Sequence, residues 1–293
     1  MRVVYVGSVE FSESLLRHVL ELGVSVVGVC TLEESQFNSD HCDLGPLALE
    51  SGIPLLKVSD INSIEATNWI KDRKADIIFC FGWSKLISSN VLAATPLGVL
   101  GYHPTLLPEN RGRHPIVWAL VLGLQRTGSS FFFMNEYADA GDIVSQAVVE
   151  IDYLDDARSL YDKLLCVAKE QLTDLIPLLV SGDLPRLKQD ESRSNLWRKR
   201  SIHDGLIDWS LPAESIRNLV RGLTRPYVGA HFLFHGQPIK VWKCNVNTTL
   251  DNDASPGQVI EPIRGMARIQ TGQASIVIVE STPKFNPPIG TVL

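Results

Sequence analysis

His103 is followed at once by Pro104 and shortly by Pro108, inside the stretch GVLGYHPTLLPENRGRHPIVW that spans residues 98–118. Proline fixes its own φ and restricts the residue before it, so the backbone around this one titratable side chain has little freedom. Histidine changes charge near neutral pH, and an imidazole fixed at the mouth of an α/β sheet can serve as a general base. The same ring can instead hydrogen-bond a neighbouring backbone group and have no chemistry at all. Further along, Asp139 and Asp142 flank Gly141 in ADAGDI, residues 138–143. Two acids in a tight turn are more often solvated than catalytic. A histidine on a second ordered loop changes that expectation, because a carboxylate can fix an imidazole's tautomer and raise its basicity. His103 and Asp139 are therefore expected to form a base with its orienting partner.

These side chains need elements to hold them. Residues 98–118 are too apolar for a solvent loop and too rich in Pro, Gly and Asn for a helix, so they read as a strand end, an ordered loop and a helix opening near Pro115. Upstream, residues 3–6 form an apolar β-branched run closed by Gly7 and Ser8, and Phe11, Leu15, Leu16, Val19 and Leu22 follow at helical spacing. Residues 24–30 read as a strand covered on both faces. Residues 31–43 read as a loop, 44–51 as a short helix, 54–58 as a strand, 62–71 as a helix and 75–81 as a strand ending at Gly82-Trp83. A strand ending in Phe-Gly-Trp places an exposed backbone and an aromatic face where open α/β sheets bind ligands; the alternative is that Trp83 simply covers the sheet edge. The first turn offers Gly7 alone rather than GxGxxG, which argues against a dinucleotide.

Residues 86–94 and 116–124 read as helices. SSFFFM at 129–134 reads as a central strand, and 143–151 as another. Residues 157–180 form a long helical pattern in which Pro177 predicts a kink or an early stop. Residues 181–200 are polar and read as a linker, and their basic run Trp197-Arg198-Lys199-Arg200 can receive phosphates or be a solvated surface. A short helix at 213–223 precedes Thr224, Arg225, Pro226 and Tyr227, where Arg225 stands between a hydroxyl and an aromatic as a good anion or sugar contact. Short strands at 231–234, 239–243, 257–262, 266–270 and 275–280 with Gly and Pro turns predict a small barrel, and the Pro-rich residues 285–293 are expected to fray.

Composition narrows the classes. A chain of 293 residues with 45% hydrophobic and 20% charged residues can bury a large core and carries no disorder signature. A formal net charge of -6 gives no broad basic surface for nucleic acid. The five cysteines are scattered without CxxC or metal-ligand spacing, so free thiols and no metal site are expected. The N-terminus runs straight into a strand, and no apolar stretch is long enough to span a bilayer. A cytoplasmic protein with no membrane partner is the expectation.

His103-Pro104-Thr105-Leu106-Leu107-Pro108, then Arg111-Gly112, then Ala138-Asp139-Ala140-Gly141-Asp142-Ile143 resemble the signature of the 10-formyltetrahydrofolate-dependent formyltransferases, the family of methionyl-tRNA formyltransferase and the sugar N-formyltransferases. The resemblance covers nearly the whole chain. It implies an α/β fold: a Rossmann-like catalytic and folate-binding domain over 1–185, a linker segment with a short helix over 186–229, and an OB-like β-barrel domain over 230–293. It implies transfer of a formyl group from the co-substrate 10-formyltetrahydrofolate to a primary amine. It places catalysis on His103 and Asp139, with Gly101 and Tyr102 beside them, and the pterin pocket on Phe81, Gly82, Trp83, Leu86, Pro104, Asp139 and Asp142. Acceptor contacts fall on Arg111, Arg113, Arg200, Thr224, Arg225 and Tyr227.

One position departs from the family's pattern. The family has an Asn two residues before its His, and here that residue is Gly101. The attacking amine must lose a proton and the formyl oxygen gains negative charge, and loss of one donor to such an oxygen costs roughly 3 kcal/mol. The candidate replacements are the Tyr102 hydroxyl, a backbone N–H near Gly101, a water in the space glycine leaves, Asn110, and an imidazolium form of His103; the imidazolium with a water is favoured. The acidic net charge, Phe133, Met134, residues 111–114 and LTRPY at 223–227 are more similar to the sugar enzymes, so a nucleotide-linked amino sugar is the expected acceptor, with no nucleic acid partner and a homodimer left open. A methionyl-tRNA formyltransferase and a catalytically impaired folate-binding relative are the alternatives.

Overall fold

The apolar run behind Arg2 makes strand β1 (Arg2–Val6), buried from Val3 onward. In the computed structural model, which describes residues 1–34, 39–249 and 253–293, strands and helices then alternate. They are α1 (Glu10–Glu21), β2 (Ser25–Leu32), α2 (Gly45–Glu50), β3 (Leu55–Val58), α3 (Ile64–Asp72), β4 (Ile77–Cys80), α4 (Ser89–Leu92) and β5 (Val99–His103). The chain continues through β6 (Arg111–Gly112), α5 (Pro115–Val121), β7 (Arg126–Phe133), β8 (Ile143–Glu150), α6 (Ala157–Ser181), β9 (Leu196–Trp197) and α7 (Ala213–Leu223). It ends in β10 (Ala230–Phe234), β11 (Gln237–Asn247), β12 (Val259–Ile263), β13 (Met266–Gln270) and β14 (Ser275–Thr282).

Seven strands form one sheet in the order β3-β2-β1-β4-β5-β7-β8. β1 pairs in parallel with β2 and β4, and β4 with β5, whereas β5 and β7 run antiparallel. The chain moves outward from β1 to β3 and returns on the other side at β4, which opens a crevice at the carboxyl ends of the strands. Both ends that matter sit there: β4 leads into Gly82 and Trp83, and β5 terminates at His103. α1 covers the sheet with Phe11, Leu15, Leu16 and Val19, all buried at the 3.6-residue period.

Some expectations are corrected. β7 is second from the edge rather than central, because three consecutive phenylalanines report burial on both faces, not place in the strand order. α6 runs through Pro177 to Ser181 instead of stopping there. Proline removes one backbone bond, but Leu172, Leu175, Ile176 and Leu179 are buried on either side of it and hold the helix across the gap. The predicted loop at 31–43 begins later, since Thr31 and Leu32 extend β2; its residues 35–38 lie outside the described residues. The Pro-rich tail is tied down rather than frayed: Val259 N–H bonds the Thr291 carbonyl at 2.8 Å, Leu293 N–H bonds the Gly257 carbonyl at 3.0 Å, and Phe285 is buried.

The chain divides into two compact units that interleave in sequence, 1–115, 127–149 and 162–198 forming the first, and 116–126, 150–161 and 199–293 the second. In the second unit five antiparallel strands lie in the order β10-β11-β14-β13-β12. α7 buries Ala213, Ile216, Val220 and Leu223 against Ile239, Val241, Ile269, Ile276 and Ile278. Val117 of α5 joins that core. Arg217 hydrogen-bonds the Tyr153 carbonyl, and Arg221 the Asp155 carbonyl at 2.9 Å, which fastens residues 150–161 to α7. Among the described residues no helix is long and apolar enough to cross a membrane, and no group of three or more His, Cys, Asp and Glu is placed to hold a metal ion.

Candidate active site

Alternation along β5 sorts its side chains between the two faces of the sheet. Val99 packs with Val4, Val6, Ile78 and Cys80, and Gly101 and His103 follow on that face. Tyr102 points the other way, where it stacks on Phe11 at 4.6 Å and tilts against Phe131 at 5.0 Å.

The loop after His103 is fastened to the two strands beside it. Ser130 Oγ donates to the Thr105 carbonyl at 2.6 Å, and Gln146 Nε2 donates to the Leu107 carbonyl at 2.9 Å. The loop returns on itself so that the Asn110 carbonyl meets His103 Nε2 at 2.9 Å. A carbonyl only accepts, so Nε2 carries the proton, and in the neutral ring the lone pair is on Nδ1. Asp139 Oδ2 lies 3.6 Å from that Nδ1 and accepts the Gly112 N–H at 2.9 Å. The tautomer is thus set by the Asn110 carbonyl, which corrects the expectation from sequence that Asp139 sets it. Two acceptors, Nδ1 and Oδ2, lie side by side, with His103 5% exposed and the Asp139 side chain 19% exposed. A group bearing N–H protons placed beside them has two acceptors within reach.

The backbone here is unusual. Among the described residues seven non-glycine residues have positive φ, and three of them, Asn110, His114 and Asp139, lie in these two loops. Non-glycine residues held in that region tend to mark functional sites. The turn that carries Asp139 closes tightly, because a Cβ on Gly141 would lie 1.6 Å from the Phe133 carbonyl oxygen.

The other expected residues are distributed as follows. Phe81 is fully buried among Tyr5, Phe79 and Phe131. Gly82 has φ +69°, and a Cβ there would meet Val9 Cγ2 and Ser12 Oγ, each at 2.4 Å. Trp83 packs against the same apolar cluster as Met134, and its Nε1 is buried without a hydrogen-bond partner. Leu86 is exposed and its carbonyl accepts from Asn62 Nδ2. The Pro104 carbonyl accepts from Thr127 Oγ1, and the Asp142 carbonyl from Phe133 N–H. Arg113 Nη1 donates to the Ser84 carbonyl at 2.5 Å, tying the Trp83 loop to the His103 loop. Arg111 is buried and fully engaged with Gln189 and Glu191, so it holds structure together rather than facing an open groove.

Arg200, Thr224, Arg225 and Tyr227 belong to the second unit, whereas His103 and Asp139 belong to the first. Arg200 lies over the Trp118 ring at 4.5 Å and donates to the Asp204 carbonyl at 2.5 Å. Thr224 is buried, and its carbonyl accepts from Tyr227 N–H at 2.9 Å. Arg225 pairs with Glu280 at 2.8 Å and covers Trp242 at 4.3 Å.

Three of the candidate oxyanion donors change standing. The Tyr102 hydroxyl shares a hydrogen bond with Ser129 Oγ at 3.1 Å on the far side of the sheet, where burial raises its pKa. The Gly101 backbone is flanked by β4 and β7. The space beside Gly101 is occupied, since a Cβ there would lie 2.7 Å from Met134 Cε and 3.1 Å from Phe132 Cζ. Tyr102→Phe is therefore expected to lower stability by about 1 kcal/mol through the lost hydrogen bond and to leave turnover unchanged. Urea unfolding and a rate assay on the same preparation check both.

Sequence reasoning missed the segment 187–197, which had read as a linker. It runs along the site instead: Leu187 bridges Ile143, β9 pairs with β6, and Asn195 Oδ1 accepts the Asn110 N–H at 2.6 Å. A polar run without hydrophobic period gives little sign of this, and the one apolar pair in it, Leu196-Trp197, is the residue of a signal.

A family profile described as Formyl transferase matches residues 17–176, and one described as Formyl transferase, C-terminal domain, matches residues 200–289. A curated relative, methionyl-tRNA formyltransferase of Bacillus velezensis, is 30% identical over 282 residues, which cover 95% of this chain and 88% of the relative. Among solved structures, WlaRD, a sugar 3N-formyl transferase crystallised with dTDP and 5-N-formyl-THF, superposes with a TM-score of 0.71 at 17% identity over 97% of this chain and 99% of that one. The N-formyltransferase of Helicobacter canadensis, in complex with folinic acid and dTDP-3-aminofucose, superposes with a TM-score of 0.70 at 14% identity over 95% and 98% of the two chains. At those identities the likeness to the two structures is one of fold.

Proposed function

The chain belongs to the formyl transferase family, and from that premise we propose that it moves the formyl group of 10-formyltetrahydrofolate onto the primary amine of a nucleotide-linked amino sugar, with His103 as the base. The observation that carries the chemistry is that His103 Nδ1 and Asp139 Oδ2 lie 3.6 Å apart. An attacking amine must be neutral, and a nitrogen whose lone pair is kept free by the Nε2–Asn110 bond can take its proton. Asp139 then faces the imidazolium.

The residues at the end of β4 suit a pterin. The buried Nε1–H of Trp83 has no partner, and a pterin edge carries the ring-nitrogen and carbonyl acceptors that such a donor needs. Gly82, with φ +69°, makes the turn that leads from β4 into Trp83, and Trp83 and Met134 supply apolar surface. Trp83, Gly82 and Met134 would hold the ring; the bound co-substrate supplies an electrophilic formyl carbon.

For the acceptor, the net charge of -6 weighs against tRNA, whose phosphates are normally met by a basic surface. The end-to-end likeness to two enzymes whose crystals hold dTDP or a dTDP-amino sugar supports a sugar nucleotide. A second reading, formylation of methionyl-tRNA, is favoured by the Bacillus velezensis relative. The two are separated by incubating the purified protein and 10-formyltetrahydrofolate with a panel of dTDP-amino sugars or with charged initiator tRNA. Faster formylation of the sugar, read by mass spectrometry, is expected. Preference for the charged tRNA would overturn the acceptor assignment.

A further inference from the structure

Gln189 uses every hydrogen-bonding position of its side-chain amide. Its two amide protons go to the Asp139 carbonyl at 2.8 Å and the Gly141 carbonyl at 2.7 Å. Its oxygen accepts from Arg111 Nε at 3.1 Å and Arg111 Nη2 at 2.8 Å. Arg111 is held in turn by both carboxylate oxygens of Glu191, at 2.9 Å and 2.8 Å. Next to Arg111 in sequence, the Gly112 N–H binds the Asp139 carboxylate at 2.9 Å.

Asp139 is thereby gripped twice. Gln189 holds its backbone and Gly112 holds its side chain, and both are anchored around one buried arginine of the loop that carries His103. The grip has something to resist, because Asp139 has φ 54°, which a residue with a Cβ adopts at a cost. Only a primary amide fits this place. A carboxylate would keep the contact with Arg111 but turn a negative oxygen toward two carbonyls, and an amine would lose the contact with Arg111.

We propose that Gln189 is a positioning residue for formyl transfer, holding the Asp139 turn so that the carboxylate faces His103 Nδ1, and that Arg111 serves the reaction by holding Gln189. This rests on the reading of His103 and Asp139 as the transfer pair. Gln189 touches neither of the two reacting groups' side chains and acts through the backbone of Asp139.

The test is a double-mutant cycle with Asp139→Asn, assayed with 10-formyltetrahydrofolate and the best acceptor of the panel. Gln189→Ala is expected to lower kcat by about 10- to 100-fold, the scale on which displaced reacting groups lose rate, with folinic acid binding unchanged. In the Asp139→Asn background the same change has little further effect. Gln189→Glu, which keeps the partner of Arg111, is expected to be as slow as Gln189→Ala; a residue that merely held Arg111 would be rescued by it. Thermal melting and folinic acid titration of Gln189→Glu show whether loss of rate is loss of fold. Wild-type turnover in Gln189→Glu, or losses that multiply with that of Asp139→Asn, overturn the assignment of Gln189. Wild-type turnover in Asp139→Asn itself overturns the transfer pair instead.

Discussion

His103→Gln is expected to lower kcat by about 10²–10⁴-fold, the range that a positioned general base contributes, and to leave folinic acid binding intact. The substitution is chosen for what it keeps. His103 is 5% exposed and its Nε2–H is the donor that closes the loop onto the Asn110 carbonyl. The glutamine amide can supply a donor to that carbonyl, so the loop retains its closing bond while the lone pair of Nδ1 is lost. His103→Ala would remove both and leave a cavity on the face shared with Gly101, so its effect on rate could not be told from an effect on the loop. Single-turnover formylation measured beside a folinic acid titration separates the two. Turnover at the wild-type rate in His103→Gln would mean that the amine loses its proton elsewhere.

His103 and Asp139 stand out singly in the sequence, and for a physical reason. Pro104, Pro108 and Gly112 restrict or release the backbone at fixed offsets from His103, and Gly141 does so near Asp139, so the punctuation around each group can be read without knowing the fold. The alternating strands and helices from β1 to β5 were legible for a similar reason, since a strand buried on both faces is apolar throughout, as Ile77, Ile78, Phe79 and Cys80 are in β4. What was not legible was the partner each group meets. The tautomer of His103 depends on the carbonyl of Asn110, and a backbone carbonyl has no residue type. Gln189 looked like one polar residue among many in a charged stretch, because its role is fixed by two backbone oxygens and a guanidinium from three other places in the chain. Arg111 looked like a substrate contact for the converse reason: a sequence shows a positive charge but not that Glu191 and Gln189 have already engaged it.

Gly101 is the position where sequence and structure bear most directly on each other. Against the family's pattern it looked like a lost donor and an open space. In the fold that space belongs to Met134, whose Cε and Cγ would lie 2.7 Å and 2.9 Å from a Cβ on residue 101, with Phe132 Cζ at 3.1 Å. A water cannot sit there unless Met134 moves. Gly101→Asn alone is therefore expected to destabilise the protein by about 1–3 kcal/mol, the usual cost of overpacking a filled interior, and to lower kcat because the displaced side chains adjoin the strand that ends in His103. The thioether is flexible at its far end, so the damage should depend on Met134 in particular. Combined with Met134→Ala, the asparagine gains the room it needs, and urea unfolding of the two single variants, the double variant and the parent is expected to give a favourable coupling of about 0.5–3 kcal/mol. Additive losses would show that residues 101 and 134 do not compete for the same space. A favourable coupling makes the glycine and the methionine one exchange of volume across β5 and β7, so that the donor absent from residue 101 is no accident of a single position but part of how this site is packed.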